Sequence, residues 1–374
     1  MKYFFVSGEV SGDLHAAKVI KALKSKDDHA EVQAWGGDQM ALAGAEIKKH
    51  INELAFMGFA EVVKNLPKIW KNFRLIKAQI KAFSPDVLVL VDYPGFNMRL
   101  LKWAKEQRIK IVYYIAPQAW AWKPKRSALL NKYVDKLCVI LPFEEAYFRE
   151  SHGINQVEYV GHPLMDALEQ FRPNKDFNKQ WGLSDGEKYI AVMPGSREQE
   201  VLKNLPPMAA ALTELNQKVL IAQSPTIPTE TYRKILDNYP KLEVKLILGA
   251  NYDLLSRTEK AIVTSGTATL ETALLGVPQV VCYRASSISI AIAKKLITVK
   301  YISLVNLILD EPLIQELIQG QFQTAQITEA LSKIDADRPK IIQGYNRLKD
   351  KLGSPGASER VAEIIMEVIK NKSK

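Results

Sequence analysis

The chain has 374 residues, with 51 Lys and Arg against 41 Asp and Glu, a formal net charge of +10. Hydrophobic residues make up 47% and charged residues 25%, a globular composition that excludes disordered, collagen-like and fibrous proteins, and the length suits two domains. The only cysteines, Cys138 and Cys282, each sit in an apolar run, which excludes a disulfide framework and a cysteine zinc site and fits a reducing compartment.

Met1 to Val6 is too short for a signal peptide and soon meets Glu9 and Asp13. Short β-branched or aromatic runs then alternate with amphipathic helical stretches. The first series of predicted strands is Tyr3 to Val6, Val87 to Val91, Ile111 to Ile115, Leu137 to Leu141 and Val157 to Val160. The second is Ile190 to Met193, Lys218 to Ala222, Val244 to Leu248, Lys260 to Thr264 and Gln279 to Tyr283. The weakly charged run Ala261 to Tyr283 is broken by Ser265, Gly266, Glu271, Gly276 and Pro278, so it reads as strand, loop, helix and strand and not as a membrane span.

Apolar strands separated by helices predict parallel sheets covered on both faces, and two series predict two doubly wound α/β domains. Turn formers at Gly161-His162-Pro163 and the polar stretch Phe171 to Lys188 place the boundary between residues 1–165 and 166–352. After Gly353-Ser354-Pro355-Gly356 a final amphipathic helix, about 358–371, is free to pack back on the first domain, and Lys370 to Lys374 reads as a frayed tail.

In open parallel sheets ligands bind beyond the carboxyl ends of the strands, so the loops there carry the information. Ser7-Gly8-Glu9-Val10-Ser11-Gly12-Asp13 has glycines four apart, which fits neither the dinucleotide nor the Walker pattern. It reads either as a turn admitting a sugar to the N–H groups of a helix starting near Leu14, or as a turn capped by Ser11 or Asp13. Asp92, at the start of Asp92-Tyr93-Pro94-Gly95-Phe96-Asn97, stands where a desolvated carboxylate takes a proton from a substrate hydroxyl; a turn-capping Asp is the alternative. Ala116 to Arg126 interleaves Trp120 and Trp122 with Lys123, Lys125 and Arg126, beside Gln118, which suits a sugar ring and a phosphate, or else packing under a basic helix start.

Pro194-Gly195-Ser196-Arg197 opens a helix near Glu198, and its N–H groups with the guanidinium form a candidate diphosphate cradle. Ser265-Gly266-Thr267 offers further phosphate donors, and Glu271, one turn into the next helix, suits the two hydroxyls of a ribose. The five histidines show no metal-ligand pairing, and Asp335-Ala336-Asp337 precedes Arg338-Pro339 as a helix-terminating turn, so no metal is expected. Basic residues are spread over several loops and no recognition motif occurs, so nucleic acid is not an expected partner.

Between Leu54 and Phe83 a helical wheel puts Leu66, Ile69, Trp70, Phe73, Ile76 and Ile80 on one face and Lys64, Lys68 and Lys71 opposite, with Lys77 out of place. Core packing accounts for one such face. The longer apolar series Phe56, Met57, Phe59, Val62, Val63 and Leu66 makes peripheral contact with an anionic membrane a second reading, with Phe59, Val62, Val63, Leu66, Ile69 and Trp70 as the candidate contacts.

Taken in order, SGEVSGD at Ser7 to Asp13, VDYPGFN at Val91 to Asn97, APQAWAW at Ala116 to Trp122, VGHPLMD at Val160 to Asp166, PGSR at Pro194 to Arg197, SGTATLE at Ser265 to Glu271 and YISLVN at Tyr301 to Asn306 resemble the lipid-A-disaccharide synthase family. The resemblance implies a GT-B glycosyltransferase, with two Rossmann-like domains facing a central cleft. It implies transfer of 2,3-diacylglucosamine from UDP to 2,3-diacylglucosamine 1-phosphate, giving the β-1,6-linked disaccharide 1-phosphate, at the cytoplasmic face of the inner membrane, without a cofactor. Residue by residue it implies Asp92 as general base, Arg197 on the donor phosphate, Glu271 at the ribose and Asn306 in the donor site. The loops Gly8 to Asp13 and Gln118 to Lys123 match acceptor-side segments. Where some relatives carry a second Asp after the Pro of the Asp92 motif, this chain has Gly95. A homodimer is compatible with this reading. The rivals are another GT-B enzyme acting on UDP-N-acetylglucosamine, such as a peptidoglycan-type transferase or a 2-epimerase, and a non-catalytic protein that binds UDP-sugar or lipid at a membrane surface.

Overall fold

A computed structural model describes residues 1–54, 66–122, 125–284 and 300–371. The chain divides into two compact units, Met1–Asp166 with Ser354–Lys374, and Ala167–Gly353.

The first unit is built on strands β1 (Lys2–Val6), β2 (Glu31–Gly36), β3 (Glu46–His50), β4 (Val87–Val91), β5 (Lys110–Tyr114), β6 (Lys136–Val139) and β7 (Val157–Tyr159). They pair in the order β3-β2-β1-β4-β5-β6-β7, every neighbour parallel. The period of two divides their side chains cleanly. Tyr3, Phe5, Val87, Val89, Val91, Val112 and Tyr114 enter one core, while Phe4, Val6, Leu88, Leu90, Ile111 and Tyr113 enter the other. Both faces are thus buried, which explains the unbroken apolar runs of β4 and β5. β2 and β3 escape the sequence reading because they lie toward one edge. β3, EIKKH, is only half-buried along most of its length, and charged residues protect it as an edge strand.

Helix Val10–Lys26 begins four residues before the expected start and carries Ala16, Val19, Ile20 and Leu23 into the first core. The final helix, Ala357–Lys370, brings Val361, Ala362, Ile364 and Ile365 into the same core. Buried Asp166 caps its start, accepting hydrogen bonds from the amides of Gly356 (2.6 Å), Ala357 (3.2 Å) and Ser358 (3.3 Å) and from the Ser358 hydroxyl (3.2 Å). Arg360 donates to the carbonyls of Val160, Ser354 and Pro355, closing the same corner.

The second unit contains β8 (Tyr189–Met193), β9 (Val219–Gln223), β10 (Val244–Leu248), β11 (Thr258–Thr264), β12 (Gln279–Tyr283) and β13 (Glu316–Ile318), in the order β10-β9-β8-β11-β12-β13 and again parallel. The three-residue β13 is too short to show a period. Asp335-Ala336-Asp337 is not a terminating turn: it lies inside helix Thr324–Leu352, which continues through Pro339. The apolar stripe Ile327, Leu331, Ile334, Ile341, Tyr345 and Leu348 is buried on both sides of that proline, and this packing outweighs the missing N–H donor. Asp335 pairs with Lys260 at 2.6 Å.

Candidate functional site

In the first unit β1, β4 and β5 are neighbours, so the loops after them emerge side by side at one edge of the sheet. Close packing accounts for the glycines of the first loop. A Cβ on Gly8 would stand 2.5 Å from the Tyr93 ring, and one on Gly12 would collide with the Ser7 hydroxyl. Because the helix starts at Val10, Ser11, Gly12 and Asp13 belong to its first turn and are not a loop. Neither Ser11 nor Asp13 caps that helix: Asp13 is buried and accepts from the amides of Gly37 (2.7 Å), Gln39 (3.0 Å) and Met40 (3.2 Å), so it caps the short helix Asp38–Leu42 instead. Glu9 and Ser11 remain exposed.

β4 ends in an elbow in which Asp92 and Tyr93 are both left-handed, with φ of 47° and 48°, before helix Pro94–Glu106 begins. Two successive non-glycine residues hold this conformation only when their surroundings impose it. Here the buried Asn97 amide and the Tyr113 hydroxyl both donate to the Asp92 carbonyl at 2.8 Å, and the Asp92 amide donates to Tyr114. Burial, reinforced by the charge of Glu9, pushes the Asp92 carboxyl up to about 6, against one hydrogen bond from the Tyr93 backbone. Asn97 lies in the motif that singled out Asp92, but Tyr113 and the electrostatic part of Glu9 had no sequence signal.

After β5, Gln118 is exposed and Trp120 is anchored. Its indole N–H donates to Glu144 Oε1 at 2.9 Å, and its ring meets Phe143 edge-on at 5.0 Å. Glu144 is fully buried, and burial raises its carboxyl to about 7 although Trp120 and the amides of Ile140 and Leu141 all donate to it. The Trp122 side chain and Lys123 lie outside the described residues.

In the second unit the loops after β8 and β11 are adjacent and knitted together. The buried Asn204 amide donates to both the Pro194 carbonyl and the Thr264 hydroxyl, each at 3.1 Å. The expected backbone cradle at Gly195 to Arg197 already holds an anion, the chain's own Glu200. Its carboxylate accepts from the amides of Ser196 (3.0 Å) and Arg197 (3.3 Å) and pairs with the Arg197 guanidinium at 3.2 Å. A Glu at the third helical position reaches back in this way as a capping residue, a role that the loop reading left out. The Arg197 side chain is exposed.

Helix Thr267–Leu274 starts after Gly266 with no side-chain cap, and Thr267 is exposed. The Ser265 hydroxyl is not free, because it donates to the Ile302 carbonyl at 2.7 Å. Glu271 is held by the Tyr252 hydroxyl at 3.2 Å, and burial raises its carboxyl. Tyr252 meets Phe171 edge-on at 5.4 Å, a pair with no motif to announce it. Asn306, which the resemblance puts in the donor site, uses its side chain inside the protein. It is buried, its amide N–H groups donate to Ile314 O (2.8 Å) and Glu316 Oε1 (2.9 Å), and its Oδ1 accepts from Ile314 N (3.0 Å).

Phe59, Val62, Val63 and the Leu66 side chain lie outside the described residues. Within helix Leu66–Phe83, Ile76 and Ile80 are buried and Ile69 is half-buried. Trp70 departs from the expected apolar face: it is 68% exposed, near exposed Lys71, Arg74 and Leu75.

Solved structures place this architecture in the GT-B class. UDP-GlcNAc 2-epimerase from Neisseria meningitidis bound to UDP-GlcNAc aligns with a TM-score of 0.63 at 15% identity, covering 100% of both chains. The calicheamicin glycosyltransferase CalG4 aligns with a TM-score of 0.64 at 16% identity, covering 100% of this chain and 99% of that one. A family model described as Lipid-A-disaccharide synthetase matches residues 3–364. The lipid-A-disaccharide synthase of Syntrophus aciditrophicus is 37% identical, covering 98% of this chain and 97% of that protein. The enzyme of Myxococcus xanthus is 32% identical over 97% and 96%. The chain belongs to the lipid-A-disaccharide synthase family and is a glycosyltransferase of lipid A biosynthesis.

Proposed function

We propose that the chain joins UDP-2,3-diacylglucosamine to 2,3-diacylglucosamine 1-phosphate in one inverting displacement, releasing UDP. Asp92 removes the proton of the acceptor hydroxyl as its oxygen attacks C1 of the donor sugar. The single observation behind this assignment is the carboxyl group of Asp92, held on a constrained elbow at the carboxyl end of β4 with its pKa raised to about 6. A general base poised near the working pH combines a high deprotonated fraction with useful basicity.

The donor is assigned to the second unit. Charge developing on UDP is met by the exposed Arg197 guanidinium and by the uncapped amides at the start of helix Thr267–Leu274, with Glu271 at the ribose. Replacing Arg197 with Ala is expected to raise the donor KM about 10- to 100-fold, the value of one charge-assisted hydrogen bond, while leaving the acceptor KM unchanged in steady-state kinetics. The reaction is proposed to need no metal or cofactor. Mass spectrometry of a detergent reaction containing both substrates and EDTA tests the whole reading: disaccharide 1-phosphate supports it, and UDP release without disaccharide points to hydrolysis or another acceptor.

Peripheral attachment to the inner membrane's cytoplasmic face is proposed for helix Leu66–Phe83. Trp70 and Leu75 are exposed among Lys71 and Arg74, a combination suited to an anionic interface. No helix of the described residues is long and apolar enough to cross a membrane. The double substitution Trp70→Ser and Leu75→Ser is expected to reduce sedimentation with phosphatidylglycerol vesicles several-fold, with Tm unchanged because neither residue is in the core.

A further inference from the structure

We propose that Glu316 is a positioning residue of the donor site: its carboxylate fixes segment 302–306 and, through Ile302, the Ser265 loop. This rests on the assignment of the donor to the second unit. Glu316 lies on β13, whose backbone pairs with β12, so its side chain is not needed for the ladder. That side chain nevertheless gathers four donors. Oε2 accepts from the Ile302 amide at 2.9 Å, and Oε1 accepts from the Ser303 amide (3.0 Å), the Ser303 hydroxyl (2.7 Å) and the Asn306 amide side chain (2.9 Å).

Ser303 and Asn306 are buried, and both spend hydrogen bonds inside the protein. What they shape is the turn before helix Leu304–Leu309, in which the Ile302 carbonyl accepts the Ser265 hydroxyl proton at 2.7 Å. Ser265 immediately precedes Gly266 and Thr267, where the proposed phosphate-binding amides begin. A half-buried carboxylate on an edge strand is therefore linked to the donor loop through two hydrogen bonds, Glu316 to Ile302 and Ile302 to Ser265. On this reading Asn306 acts through Glu316 and the turn, not by touching the nucleotide.

Glu316→Gln separates this role from mere packing. The amide keeps the shape, and its oxygen can still face Ser303 and Asn306, but its NH2 then opposes the Ile302 amide, donor to donor. The flipped amide would oppose three donors instead. The full-length protein is tested by titration with UDP and by kinetics varying each substrate in turn. The expected result is about a tenfold weaker UDP affinity and a donor KM raised in step, with the acceptor KM and the pH profile unchanged. Ser303→Ala, which removes one bond from the same carboxylate together with the cap on the Asn306 amide, is expected to act in the same direction more weakly, and it decides the matter if Glu316→Gln does not fold. Folded variants that bind UDP and use the donor like the parent overturn the proposal, as does a variant that loses kcat and both KM values together. Failure of the parent itself to bind UDP is a different result, and it overturns the donor-site assignment on which the proposal rests.

Discussion

Asp92→Asn is expected to lower turnover by roughly 100-fold or more, because it leaves the elbow intact and removes only the base. In the parent enzyme, activity limited by this step should fall as pH drops below about 6, where Asp92 becomes protonated. The charge of Glu9 is part of the cause, so Glu9→Gln should move that acidic limb to lower pH. The same shift has an opposite consequence for folding. An acid whose folded pKa lies above its unfolded one binds more protons in the native state, so stability falls as pH rises from about 4 through about 6. Asp92→Asn removes that penalty and should raise Tm at pH 7 while it lowers turnover. Melting curves and rates for one preparation test both halves; a variant that is both inactive and less stable would mean that the carboxylate supports the elbow instead of serving the reaction.

Asp92 was legible because a very apolar strand and a Pro-Gly turn bracket it, so both its place at a strand end and its partial burial follow from local pattern. The positions of Arg197 and Glu271 after strand ends were legible for similar reasons. The reading failed where a side chain's partners are set by tertiary structure. Asp13 sits in a glycine-rich segment that resembles a ligand loop, yet its three donors come from residues 37 to 40, which the adjacent β2 brings over. The amides of Ser196 and Arg197 are available by position, but Glu200, one helical turn on, takes them. Asn306 carries a family resemblance but no local clue that Ile314 and Glu316 use up its amide. On a helix the wheel assigns Trp70 an angle, but the neighbouring elements determine which angles are covered, so the sequence leaves core packing and surface contact both open for it.

Ending the chain at Gly353 is expected to prevent the first unit from folding stably, although every strand of its sheet would remain. Burying Val361, Ile364 and Ile365 contributes about 1.5–3 kcal/mol each, a sum comparable with the whole stability of a typical domain. Their loss would open the faces of helix Val10–Lys26 and β5 on which the final helix rests. Asp166→Ala tests the attachment without deleting the helix. It leaves the amides of Gly356, Ala357 and Ser358 without their shared acceptor at a buried helix start, for which a loss of about 2–4 kcal/mol is expected from the lost cap and the unsatisfied donors. Chemical denaturation should show that loss, and limited proteolysis should cut first near residues 353–356. Because Asp166 and Ser354 flank the two points where the chain passes between its units, one carboxylate secures both the end of the first pass and the start of the return. A variant that melts like the parent would mean that the apolar face of the final helix holds it in place unaided, with the Asp166 cap contributing little.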